Sequence, residues 1–386
     1  MQPVAPAQSR DPLTYLKRGD PAAASGPPQA DVARGRTLWV EYAKAIGIML
    51  VVYGHAARGA QAAGLYPDEH QFEVVDSIIY SFHMPLFFFL SGLFLVGSVR
   101  KRGTIGLIAN KLDTLFYPYV IWTLMQGSIE ILLNRWTNNH ATVADVAQFL
   151  WYPRAQLWFL YALLVVSILA ALLLKNAKRS VSGWLVLVAA AAFLAREHNL
   201  GVPAVNYVLT YFGFFLMGAY FQASKLAEQL YARRRALLGP CVLAFVLAQV
   251  TFHFVFGLNY ETGGVSALVL AVLSIATVVV VCMVLAERRR PVLVLVGSAS
   301  LVIYLFHILI TGGSRIVLAR FLHLANLPVI LATGTVLGVL IPLAIFVRSE
   351  KLGLQFLFTA PPALSLEALV QRRMSQTGQS ASRDVA

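Results

Sequence analysis

Apolar residues fall in ten long runs separated by polar stretches: about 38–56, 77–97, 112–133, 156–174, 181–195, 204–222, 236–257, 264–286, 297–319 and 327–347. Most reach the roughly 20 residues that an α-helix needs to cross the hydrocarbon of a bilayer; the fifth is short. The pattern predicts an all-α polytopic membrane protein with about ten transmembrane helices. Residues 1–36, rich in Ala, Pro, Gln, Arg and Asp and without an apolar core, read as a disordered cytoplasmic tail with no signal-peptide h-region. Residues 37–350 read as one transmembrane domain. Residues 351–386 read as a polar, loose cytoplasmic tail, with one apolar turn around Leu364 to Val370.

Composition agrees. Of 386 residues, 58% are hydrophobic and 13% charged, about half the charge of an ordinary soluble protein, and the mean hydropathy is +0.68. The net charge of +13 could point to nucleic acid, but no nucleic-acid module is recognisable, and loop Lys and Arg in such a chain mark topology and meet anionic lipid. With both termini in the cytoplasm, 24 of the 31 basic residues lie on the cytoplasmic side. The outer side holds Arg58, Arg135, Arg154, Arg196, Arg315 and Arg320, and Lys44 lies within a helix. The distribution fixes this orientation, and the expected location is the cell inner (cytoplasmic) membrane, as a multi-pass protein. Cys241 and Cys282 read as small packing residues, and neither the cysteines nor any other spacing implies a metal.

The first run carries the candidate chemistry. Charge in a membrane-spanning helix is costly and is by default a functional-site hypothesis, and this run holds Glu41, Lys44 and His55. Eleven residues separate Lys44 from His55, which puts them about 16 Å apart along the axis and within about 20° of one face. The second run brings His83 to about the depth of His55, with Pro85 expected to kink the helix and Ser91-Gly92 allowing close backbone approach. His307 lies near mid-membrane in the ninth run, and Glu130 near the outer end of the third. His55, His83 and Glu130 share an outer layer, a base with helpers. Lys44, Lys111 and the basic inner loops form a cationic mouth. Such a layout suits an anionic, phosphate-bearing head on a long thin arm, as in coenzyme A, running from the mouth to a buried imidazole that acts as general base.

At these residues the chain resembles the membrane acyltransferase-3 family of sugar and polysaccharide O-acetylases, in EYAKAIGIMLVVYGH (41–55), SFHMPLFFFLSGLF (81–94), LFYPYVIW (115–122), LWFLYALLVV (157–166) and SLVIYLFH (300–307). The likeness spans residues 38 to about 348, and its second motif is closest to members that acetylate fucose and other sugars. The family's Arg/Lys-x10-His signature falls on Lys44 and His55, which implies His55 as catalytic base. Glu41 stands where Asp is frequent. The basic pair that commonly precedes Pro-Tyr is reduced to Lys111, followed by Asp113 and Thr114. The resemblance implies acetyl-CoA as acyl donor, with Lys44, Glu41, Lys111, His307 and Ser91 on the donor side. His83 and Glu130 would assist His55, Trp158 and Tyr161 would line the acceptor site, and the acceptor would be a saccharide or glycolipid hydroxyl.

Plainer readings stand beside these. Lys44 can snorkel to the headgroups, Glu41 can serve only as its helical ion-pair partner, and Trp158 and Tyr161 can be interfacial belt residues. His83 and His307 can be hydrogen-bonded packing residues, and Glu130 a solvated one. A saccharide or lipid transporter or flippase would also have many helices and buried charge, although the internal repeat that would favour it is absent. Bis-histidine haem ligation would need paired histidines at matching separations on two helices, also absent.

Overall fold

The structure, a computed structural model, describes residues 28–133, 142–174, 181–196, 200–261 and 264–383; residues 1–27 of the expected tail lie outside that set. Among the described residues every regular element is helical. All ten apolar runs fall on helices, and seven helical stretches, among them Glu69–Gly92 and Gly264–Leu285, are long and apolar enough to cross a membrane. The first run is not among the seven, since Glu41, Lys44 and His55 interrupt it.

Helix α1 spans Pro28–Gln61, so it begins ten residues before its apolar run. It is followed by α2 (Glu69–Tyr80), α3 (His83–Gly92), α4 (Leu95–Lys111), α5 (Tyr117–Leu132) and the short α6 (Val143–Gln148). Then come α7 (Trp158–Leu173), α8 (Gly183–Phe193), α9 (Pro203–Ala223), α10 (Leu226–Val250) and α11 (Gly264–Leu285). The last four are α12 (Pro291–Ser298), α13 (Ser300–Ile316), α14 (Leu327–Arg348) and α15 (Leu366–Arg383).

The architecture is a bundle built on α1. That helix packs against α2 and α3 from its own end of the sequence and against α11, α12, α13 and α14 from the other. Its inward residues Tyr42, Ala43, Ala45, Ile48 and Val52 are all but fully buried. Helix α10 sits at the periphery and exposes Val242, Leu243, Val246, Leu247 and Val250, an outward apolar face that hydrocarbon would cover.

Pro85 acts as expected. It cannot donate to the carbonyl one turn back, at Ser81, and its ring crowds that carbonyl. The helix breaks there into α2 and α3, with Phe82 at φ −141°. The close approach expected at Ser91-Gly92 is also present: a side chain on Gly92 would stand 1.9 Å from the Phe215 carbonyl oxygen of α9, and one on Gly218 equally close to that of Phe89. Pro118, in the first turn of α5, accompanies a widened π-turn at Leu112–Phe116, where Tyr117 N–H reaches back five residues to Leu112 O.

The basic clusters are tied down: Arg234 and Arg235 both pair with Glu287 between α11 and α12. Hydrogen bonding from Arg235 holds that carboxyl below the usual carboxylate range.

The segment after α14 is not the loose tail its polarity suggests. A turn at Leu354–Leu357 presents the Leu357 carbonyl to Trp122 Nε1 at 2.8 Å. The buried Asp113 carboxylate accepts from Leu366 N–H at 2.9 Å, Glu367 N–H at 3.0 Å and Ser365 Oγ at 2.7 Å. A carboxylate at the positive end of a helix, on otherwise unpaired N–H groups, fixes where that helix starts. Arg102 and Asn110 of α4 then hold Glu367, each at 2.7 Å. Asp113→Ala is expected to cost about 1.5–3 kcal/mol of docking, the worth of charge-assisted hydrogen bonds. The readout is faster limited proteolysis between residues 350 and 366; an unchanged cleavage rate would contradict the cap.

Candidate active site

The site forms where α1, the α2–α3 break and α13 meet. His55 stands on α1, half-buried as a residue. His307, fully buried on α13, faces it with ring centroids 5.0 Å apart. Helix α14 packs closely on both helices at Gly338, where a Cβ would lie 2.7 Å from Val52 and 3.1 Å from Thr311.

His307 Nδ1 lies 2.6 Å from the Tyr304 carbonyl oxygen, and His83 Nδ1 lies 2.8 Å from that of Ile79. A carbonyl only accepts, so Nδ1 carries the proton in each ring and Nε2 is left with a free lone pair. Nε2 of His307 is buried without a hydrogen-bond partner. An acceptor held beside His55 can take that ring's N–H and leave its other nitrogen as the basic one.

Tyr80 joins the histidines. Its ring meets His83 edge-on at 4.5 Å and His55 at 6.5 Å. Arg58, one turn beyond His55 on α1, lies over Tyr80 with its guanidinium carbon 3.4 Å from the ring centroid. Arg58 in turn binds Asp76 at 2.7 and 2.8 Å and Tyr260 Oη at 3.1 Å. Sequence reasoning missed all four of these residues, Arg58, Asp76, Tyr80 and Tyr260. The spacing of Arg58 from His55, three residues and therefore one face, was the available signal.

A cavity of about 420 Å³ opens beside Tyr80 and Arg58, lined further by Met84, Trp158, Tyr211, Arg196 and Glu261. Trp158 stacks on Tyr207 and Tyr211 at 5.4 and 5.2 Å, so it presents an aromatic wall. Tyr161 is not on that wall and meets Tyr119 and Tyr207 instead.

The other expected residues are dispersed. Lys44 Nζ pairs with Glu41 at 2.7 Å, and Glu41 also accepts from Ser298 Oγ at 3.4 Å. Lys111 ends α4, and Ser91 is half-buried on α3; neither has a described contact with Lys44. His307, expected on the donor side, instead faces His55. Glu130 is not with the histidines: Arg154 holds it at 2.7 and 3.0 Å in a second cavity of about 410 Å³. Neither cavity is lined by Lys44 or His55. Among the described residues no cluster of three or more His, Cys, Asp or Glu could hold a metal.

Comparison with known proteins adds one finding. Residues 37–347 match the family model of the acyltransferase-3 domain, described as an acyltransferase domain. No curated protein and no solved structure matches the chain. The matched span runs from the start of the apolar part of α1 to the last turn of α14 and includes every histidine of the site. The chain is therefore a membrane-embedded acyltransferase of the acyltransferase-3 family.

Proposed function

We propose that the protein transfers an acetyl group from cytoplasmic acetyl-CoA to a hydroxyl of a sugar in a glycan or glycolipid, at the His55 end of the bundle. The supporting observation is the His55–His307 pair, 5.0 Å apart, near the aromatic, charged cavity that Tyr80 shares. A cavity with one stacked aromatic wall and a few charged groups suits a polar ring that offers both apolar faces and hydroxyls.

His55 takes the proton of the attacking hydroxyl as the ester C–O bond forms and the thioester C–S bond breaks, and that proton then passes to the departing CoA thiolate. The unpaired Nε2 of His307 is available to accept the N–H on the other ring nitrogen of His55. Bound acetyl-CoA supplies the activated acyl group. Lys44 meets its phosphates near the middle of α1, about 16 Å along the helix from His55. The Glu41 pair is compatible with that role: both side chains are about a quarter exposed, so water can solvate the Glu41 carboxylate when Lys44 exchanges it for phosphate. Lys111 adds positive charge on the donor side, and Arg58 fixes Tyr80 as the boundary between histidines and acceptor cavity.

The direct test is mass spectrometry of surface glycans and secreted saccharides from cells with and without the protein. One added acetyl mass that depends on the protein supports the assignment, and identical spectra overturn it. In the purified enzyme, Lys44→Ala is expected to raise the KM for acetyl-CoA about tenfold, the loss of one charge-assisted contact of ~1.4 kcal/mol, with the acceptor KM unchanged. An unchanged donor KM would leave Lys44 as a snorkelling residue.

A further inference from the structure

The second cavity, of about 410 Å³, lies between α5, α13 and the turn at Ala155–Leu157. It backs onto the side of α13 away from the histidines. At about 100° per residue, Leu309, Gly312 and Ile316 share a face roughly opposite His307, and they line the cavity with Ile308 and Arg315 at its edge, where Arg315 Nε also approaches Gly59 of α1. None of the roles given to His55, His307, Lys44 or Arg58 uses it.

Several features mark it as built for a ligand. Gln156, 1% exposed, gives its amide N–H to Gln126 at 2.8 Å, but its Oε1 is buried with no partner. Buried polar atoms are nearly always satisfied, so an orphan acceptor at a cavity asks for a donor. Arg315 supplies the converse. Its Nε is buried without a partner, and no acid pairs with it among the described residues. The neighbouring Ala155 has φ 48°, a conformation that costs a non-glycine residue and recurs at ligand sites. Gly312 and Gly313 leave the α13 backbone bare: a Cβ at either would meet nothing within 4 Å. The remaining wall, Ile129, Leu133, Leu157, Leu309 and Ile316, is apolar, with the Glu130–Arg154 pair among it.

We propose that this cavity holds a membrane lipid whose head carries both an anionic group and free hydroxyls, with phosphatidylglycerol as the representative. The phosphate is placed by Arg315, a head hydroxyl donates to Gln156 Oε1, and the upper acyl chain lies along the isoleucine and leucine wall. A zwitterionic choline head offers no hydroxyl donor and brings a second positive charge toward Arg315 and Arg154. The site is separate from the histidines, so the proposal stands or falls independently of acetyl transfer.

The test is native mass spectrometry of the purified full chain released from nanodiscs containing equal phosphatidylglycerol and phosphatidylcholine. At least tenfold preferential retention of phosphatidylglycerol is expected. Gly312→Phe, which fills open space, and Arg315→Gln should each reduce that retention about tenfold. Arg235→Gln, at an exposed ion pair with Glu287, should leave it unchanged. Equal retention of the two lipids would overturn the proposal, as would an equal loss in all three variants or no loss in Gly312→Phe and Arg315→Gln. Soluble glycerol phosphate is a further arm: if the head alone is retained as strongly as the lipid, the site belongs to a free polyol phosphate and the lipid assignment fails. If Gly312→Phe does not fold, Arg315→Gln and Gln156→Leu carry the same comparison.

Discussion

His55→Ala is expected to reduce acetyl transfer by about 10²–10⁴-fold, the usual contribution of a positioned general base. The loss should appear in kcat, with the folded protein still inserted in the membrane. The side chain is only partly buried, and the neighbours that hold this turn of α1 in place, Val51, Val52 and Ala56, do not depend on the imidazole. His307→Ala should lower kcat less, because it removes the group that orients the base and not the base itself. Two measurements decide the matter: turnover of labelled acetyl-CoA, and the elution profile of each variant on size exclusion in detergent. Full turnover in a well-folded His55→Ala protein would remove this imidazole from the chemistry.

The second large effect concerns Arg58 and Asp76. Asp76 is 8% exposed and takes both of its bonds from one guanidinium. Removing one partner strands the other. Breaking a buried pair costs about 3–5 kcal/mol, and the partial exposure of Arg58, 35% at its side chain, places the expected loss nearer 2–3 kcal/mol after solvent screening. Arg58→Ala also frees the Tyr80 ring, so activity should fall with stability. Arg58→Ala combined with Asp76→Ala should cost clearly less than the two single losses added together, since neither charge is then left alone. Thermal unfolding midpoints in a single detergent test this; strict additivity would show that the pair is not coupled.

Much of the layout was legible because it is written in one dimension. Ten apolar runs became helices, and Pro85 marked the break at Ser81–Phe82. The spacing of Lys44 and His55 placed them on one side of α1. Depth along a helix was also readable, which is why His55 and His83 were expected together. The angle around a helix relative to distant neighbours was not. Glu130 stands near the end of its helix, as its run implies, but in the second cavity with Arg154. His307's position along its run is equally consistent with a donor contact; only the packing of α13 turns it toward α1. In sequence Arg58 reads as a topology signal, because its acid lies eighteen residues on and its phenol in a loop about two hundred residues away. The α15 helix was hidden for a similar reason: its start is fixed by Asp113, some 250 residues earlier, and its own sequence is polar.

The central position of α1 has a consequence for biosynthesis. This segment is made well before its lasting neighbours α12, α13 and α14, which follow it by more than two hundred residues. At roughly 5–20 residues per second, Glu41, Lys44 and His55 wait on the order of 15–60 s for the helices that shield them. During that interval a charged hairpin must be sheltered by the insertion machinery or by insertase chaperones. A ribosome that stalls before α13 would therefore release a nascent chain with its costliest groups uncovered, a ready substrate for membrane proteases.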